Sequence, residues 1–181
     1  MKNLLVVFSH GKESGPWGSK ICALAKVVER CAGCVVSVNY REHPAGIVHD
    51  QDAAGEAERR IEQLLATPLP DHQKLILVGS SMGGYVSTVA SQTLAVKGLC
   101  LMAPAFYFPE YAHQNPIPHA TQTLIFHGWN DTVVPVDHSI RFAKEHSCDL
   151  HVLNDDHRLN DALPRIEPLF ELFIHRVLTG K

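Results

Sequence analysis

Lys74-Leu75-Ile76-Leu77-Val78-Gly79-Ser80-Ser81-Met82-Gly83-Gly84 carries an unbroken apolar run directly into a glycine-flanked serine. A short apolar run without polar alternation fits a strand buried on both faces, as in a parallel sheet covered by helices. The following segment, Gly83 to Ala95, has helical length. Gly79-Ser80-Ser81-Met82-Gly83 therefore has the form G-x-S-x-G at a strand-to-helix turn. The turn must be sharp enough to hold the serine backbone in a strained conformation, and side chains two residues away on either side would collide across it. Glycine at 79 and 83 removes both collisions. Ser81 is left projecting over the sheet as a candidate nucleophile, with the Met82 backbone N–H and the positive end of the next helix facing any oxyanion formed there. Other readings are a tight connection without chemistry, or a phosphate cradle. The latter lacks the G-x-x-x-x-G-K pattern. Ser80 offers a second hydroxyl, but only Ser81 lies centrally between the glycines.

Working outward, five further apolar runs predict strands: Asn3 to Phe8, Cys34 to Tyr40, Gly98 to Ala103, Thr123 to His127 and Asp149 to Leu153, with Lys74 to Gly79 as the sixth. Segments of helical length separate them, at Lys20 to Cys31, Asp52 to Ala66, Gly83 to Ala95 and Asp137 to His146, and Asp161 to Leu178 follows the last. Such alternation predicts a parallel sheet with helices on both sides. In the second helix Ala53, Ala57, Ile61, Leu64 and Leu65 share one face, and Glu56, Glu58, Arg59, Arg60 and Glu62 occupy the rest. Pro68 and Pro70 end it. Ile166, Leu169, Phe170, Phe173, Ile174 and Val177 give the last helix a comparable apolar face. Residues 104–120 hold four aromatics and four prolines without clear period, and read equally as a crossover or as a wall of the site.

The composition narrows the partners. A chain of 181 residues with 45% hydrophobic and 19% charged residues fits one globular domain spanning 1–181. A net charge of -3 and no basic run give no reason to expect nucleic acid. No stretch approaches the roughly 20 apolar residues of a membrane-spanning helix, and Leu4 to Phe8 is too short for a signal-peptide core. Five cysteines in an odd count favour reduced thiols, so a soluble cytoplasmic protein is expected. Cys31-Ala32-Gly33-Cys34 has the C-x-x-C form, but no second pair completes a zinc site, and buried small hydrophobes are the simpler reading.

A serine hydroxyl needs a base to take its proton and an acid to orient that base. Twelve histidines are available. Asp131 lies just beyond Leu124-Ile125-Phe126, in His127-Gly128-Trp129-Asn130-Asp131. His157 follows Val152-Leu153-Asn154-Asp155-Asp156, again one loop beyond a strand. Taken singly, Asp131 reads as a helix cap and His157 as an exposed loop residue.

Together with the glycine-flanked serine, and with Ser9-His10-Gly11-Lys12 after the first strand, these positions resemble the α/β-hydrolase superfamily. The likeness is to small esterase or thioesterase members without a cap. It implies a three-layer α/β/α sandwich with about six mainly parallel strands, in the order second, first, third, fourth, fifth, sixth. The two leading antiparallel strands of larger members are missing. Family order runs serine, acid, histidine, and Asp131 and His157 fill the last two places. The family's H-G after the first strand implies that the Lys12 N–H is a second oxyanion donor beside that of Met82, with His10 a structural neighbour. The resulting expectation is hydrolysis of a small acyl substrate, an ester or thioester, through an acyl-enzyme on Ser81, without metal or organic cofactor. A peptidase or amidase with the same triad, and an interaction protein on a hydrolase scaffold, remain open. The physiological acyl group and the oligomeric state are not legible.

Overall fold

A computed structural model describes residues 3–42, 46 and 48–180. The elements alternate as β1 (Leu4–Ser9), α1 (Ser19–Arg30), β2 (Cys34–Val38), α2 (Glu56–Ala66), β3 (Lys74–Ser80), α3 (Met82–Ala90), β4 (Val96–Met102), β5 (Gln122–Gly128), α4 (Val136–His146), β6 (Asp149–Leu153) and α5 (Leu163–Thr179). All six strands run parallel in the order β2-β1-β3-β4-β5-β6. That is the order implied by the resemblance.

The sheet separates two apolar clusters. Leu4, Val6 and Phe8 of β1 point toward α1 and α5, whereas Leu5 and Val7 point toward α2 and α3. This alternation is why the strands carry apolar residues at every position. β1 leads leftward to β2 and β3 rightward to β4, so the helices after β1 and β3 fall on opposite faces. The switch leaves a crevice at the strand ends between β1 and β3. Pairing of Ser9 with Gly79, Ser80 with Met102 and Gly128 with Leu153 brings the C-terminal ends of the strands to one edge.

Several boundaries move. The second helix begins at Glu56 instead of Asp52, because Gly55 adopts a left-handed φ of 78° and Asp50 closes a turn by accepting the Asp52 N–H. The third helix stops at Ala90, and the turn through Leu94 feeds β4 two residues earlier than the apolar run suggests. Glu56 and Arg60, placed by period on the polar face of α2, are buried. They pair with each other at 2.7 Å, which makes burial of two charges tolerable.

Residues 104–120 form a crossover packed on the α3 and α4 side. Phe106 stacks on Phe142 at 4.2 Å and Tyr111 on Tyr85 at 4.3 Å, and both are buried. Aromatic bulk there fills a place that a helix fills elsewhere in the layer. Cys31 and Cys34 pack into different clusters across the sheet, and all five thiols are free. Among the described residues no helix is long and apolar enough to cross a membrane.

Candidate active site

Ser81 sits at the hinge between β3 and α3 with φ 55° and ψ -122°, in a region that costs a non-glycine residue about 1–3 kcal/mol. The surrounding backbone holds it there: its N–H donates to Met102 O, and its carbonyl accepts from Gly84 N at 2.8 Å and Ala105 N at 3.0 Å. A Cβ at Gly79 would lie 2.6 Å from the Gly84 Cα, and one at Gly83 would run into the Ser9 carbonyl. Both glycines are thus required by backbone contact, as the spacing predicts. A Cβ at Gly11 would be 3.2 Å from the Ser81 Cβ, so the loop after β1 lies against the serine. Neither the Met82 nor the Lys12 N–H has an acceptor among the described residues, which leaves both available as candidate oxyanion donors.

Asp131 and His157 meet. His157 Nδ1 donates to Asp131 Oδ2 at 2.6 Å, which leaves the Nε2 lone pair as the proton acceptor. The Asp131 side chain is fully buried and that of His157 is 19% exposed. Asp131 Oδ1 accepts the Val133 and Val134 N–H groups at 2.8 Å each. Burial alone would raise its pKa. Hydrogen bonds from His127, His157 and those two N–H groups outweigh it and hold the carboxyl well below the usual carboxylate range. Its stabilising contribution is therefore present above the ordinary carboxylate pKa and is lost only as pH falls through the lowered value. Ser81 Oγ makes no hydrogen bond to His157 among the described residues, a resting arrangement that ligand binding can tighten.

Two further residues build the site. His127, fully buried, brings Nε2 within 3.0 Å of both Asp131 Oδ2 and Val134 O, so it is the N–H donor, and the Ser139 hydroxyl donates to its Nδ1 at 2.7 Å. Its only sequence signal is a second H-G pair four residues before the acid. Gly128 is the other. A Cβ there would be 2.5 Å from Asp156 O, so glycine lets the loop bearing His157 close on the end of β5. Trp129 N and Asn130 N donate to Leu153 O and Asp155 O at 2.8 and 3.0 Å, zipping the two loops together. From the opposite face Lys20 reaches the His157 carbonyl at 3.4 Å. Burial pushes that ammonium down to about 8, against the pull of Asp131, Asp156 and Asp155.

His10 is enclosed. Its Nε2 accepts the Tyr40 N–H at 3.2 Å, so Nδ1 carries the proton and donates to Gly11 O at 2.7 Å. Burial, helped by the charges of Arg60 and Arg41, lowers its pKa to about 4. The unfolded chain then takes up this proton first as pH falls from about 6.5 toward 4. Native stability is expected to drop across that window, by roughly 3 kcal/mol in full. Melting curves between pH 7 and 4.5 check this: His10→Gln should flatten the profile, and equal slopes for variant and parent would refute it.

Two concavities open at the opposite edge of the sheet, one bordered by Gln122, Asp149 and Arg176 and the other by Gln92, Val96 and His119. Neither borders Ser81. Cys31, Glu171 and His175 bring metal-capable atoms within 4.8 Å of one another where α1 meets α5. Glu171 is already paired there with Arg30 at 3.1 Å.

A family model described as the alpha/beta hydrolase family matches residues 6–175. No curated protein matches significantly. Among solved structures, a Xanthomonas campestris pv. campestris protein assigned to the alpha/beta hydrolase superfamily aligns with TM-score 0.76 at 25% identity, over 96% of this chain and 98% of that one. Est1E from Butyrivibrio proteoclasticus with ferulic acid bound gives TM-score 0.82 at 18% identity, over 98% and 90%. An α/β serine hydrolase without lid from Xanthomonas campestris gives 0.72 at 20%, over 96% and 81%.

Proposed function

The chain belongs to the alpha/beta hydrolase family, and from that premise we propose that it is a serine hydrolase cleaving a small carboxylic ester or thioester through an acyl-enzyme on Ser81. The observation that carries the reading is the 2.6 Å Asp131–His157 bond at the sheet edge where Ser81 occupies its strained hinge. Ser81 Oγ attacks the substrate carbonyl while His157 Nε2 takes its proton. Asp131 holds the ring and stabilises the imidazolium. The Met82 and Lys12 N–H groups receive the oxyanion. The tetrahedral intermediate collapses, His157 returns the proton to the leaving alcohol or thiol, and water repeats the cycle on the acyl group. The short crossover at 104–120, with Phe106 and Tyr111 buried in the core and Tyr107 and Phe108 half-buried against it, supports a small or exposed substrate. The neighbour holding ferulic acid makes an aryl carboxylic ester a sensible member of a substrate panel.

The test is labelling of the folded protein by a fluorophosphonate, with peptide mapping of the adduct, beside release of p-nitrophenol from short p-nitrophenyl esters. Attachment at Ser81 and a burst of product are expected. A folded protein inert to both would move the reading to an interaction protein on this scaffold.

Asp131→Asn separates geometry from charge. The Asn Oδ1 can still accept the Val133 and Val134 N–H groups, so the turn should keep its shape, while the lost bonds from His127 and His157 to the buried carboxylate should lower the melting temperature. The amide nitrogen can no longer accept from His157. The expected loss in kcat/KM is on the order of 10⁴-fold, and a loss under tenfold would remove Asp131 from the mechanism.

A further inference from the structure

We infer that the buried Glu56–Arg60 pair on α2 is a positioning device for the oxyanion loop, acting through His10 on the peptide that presents the Lys12 N–H; this rests on the serine hydrolase reading above. Arg60 is fully buried. Its Nε donates to Glu56 Oε1 at 2.7 Å, Nη1 to His10 O at 3.0 Å and Nη2 to Gln51 Oε1, and its guanidinium carbon lies 5.0 Å from the centre of the Tyr40 ring. Glu56, also buried, receives two further bonds of 2.7 Å from Arg59, whose Nη2 donates to Tyr40 O at 2.8 Å.

Removing such a pair from water is costly, and apolar side chains of similar volume often serve stability equally well. No apolar side chain can donate to the carbonyl just past β1. That carbonyl is where Arg60 directs an N–H.

The consequence reaches Ser81 through one residue. His10 is held at three points: its carbonyl by Arg60, its Nε2 by the Tyr40 N–H, and its Nδ1–H against Gly11 O at 2.7 Å. In a trans peptide the C=O and the N–H point in opposite directions. Binding Gly11 O to the His10 ring therefore turns the Lys12 N–H away from that ring and fixes its direction. The charge of Arg60 also opposes protonation of His10, preserving the Nε2 lone pair that accepts the Tyr40 N–H. Arg41 grips the far end of the same loop, donating to Glu13 O and Ser14 O at 2.9 Å each. Arg60 thus acts only through other groups.

The experiment compares wild type, Arg60→Met, Arg60→Lys and the double variant Glu56→Gln/Arg60→Met. The double variant leaves no unpaired buried carboxylate, so it keeps the test open where the single change impairs folding. Near-UV circular dichroism and melting establish the fold. Kinetics with p-nitrophenyl acetate are read beside the affinity for an aryl trifluoromethyl ketone, whose serine adduct carries the oxyanion. A donor removed outright costs about 10²–10³ in kcat. A donor left in place but loosened is expected to cost about 10- to 100-fold, with KM within about twofold and ketone affinity falling by the same factor as kcat/KM. Arg60→Lys should recover part of the loss. A folded double variant with wild-type kcat and ketone affinity overturns the inference. A wild type that takes no fluorophosphonate and turns over no ester counts instead against the serine hydrolase reading itself.

Discussion

Ser81→Ala is expected to bring ester turnover to background and abolish fluorophosphonate labelling, a loss on the order of 10⁶-fold if the serine and its base act as one unit. The change should leave the fold intact, because the strained φ of 55° is set by backbone contacts to Met102, Gly84 and Ala105 and not by the hydroxyl. Ser81→Gly offers a second readout at the same position. It is equally inactive by expectation but more stable than Ser81→Ala by about 1 kcal/mol, since glycine accepts a positive φ without penalty. Chemical denaturation of the two variants measures that difference. Retained turnover in Ser81→Ala would pass the nucleophile to another residue, with Ser80 the first to examine.

Gly83→Ala should be the most damaging single methyl in the molecule. The added carbon would run into the Ser9 carbonyl and stand 2.8 Å from His10 O. Both are backbone atoms at the end of a central strand, so neither can yield without moving α3 away from β1. A loss of about 4 kcal/mol or more is expected, in the range reserved for overpacked cores and forced backbone shifts. Labelling at Ser81 should fall with it. Gly15→Ala is the control, because a Cβ there meets nothing within 4 Å and the effect should stay within about 0.5 kcal/mol. Comparable urea midpoints for the two variants would mean that the close approach of α3 to β1 is not needed.

The features legible in the sequence are those with a local cause. Runs such as Leu75 to Val78 reveal a strand buried on both faces because the sheet is covered on both sides. The glycines at 79 and 83 reveal the hinge because the collisions they avoid lie within the same few residues. Other features depend on partners distant in sequence. Arg60 looks like a solvated helix residue until His10, fifty positions earlier, supplies a carbonyl for its Nη1 beside the pairing with Glu56. His127 and Asp131 are four residues apart, yet nothing in the spacing says that a β5 residue and the following loop share a buried hydrogen bond. The start of α2 is hidden for a simpler reason: Ala53 and Ala57 keep the apolar period across Gly55, whose left-handed backbone marks the point where the helix begins.

The meeting of α1 with α5 has a consequence for synthesis of the chain. On that side of the sheet the cover over Leu4, Val6, Phe8, Ile76, Val78, Cys100 and Phe126 comes from a helix near the start of the sequence and one near its end. Before α5 (Leu163–Thr179) is made, the strands already formed have only α1 to cover this face, and part of it stays bare. The apolar layer on this side is therefore complete only once α5 is in place. Until then exposed apolar surface of this kind is prone to aggregation.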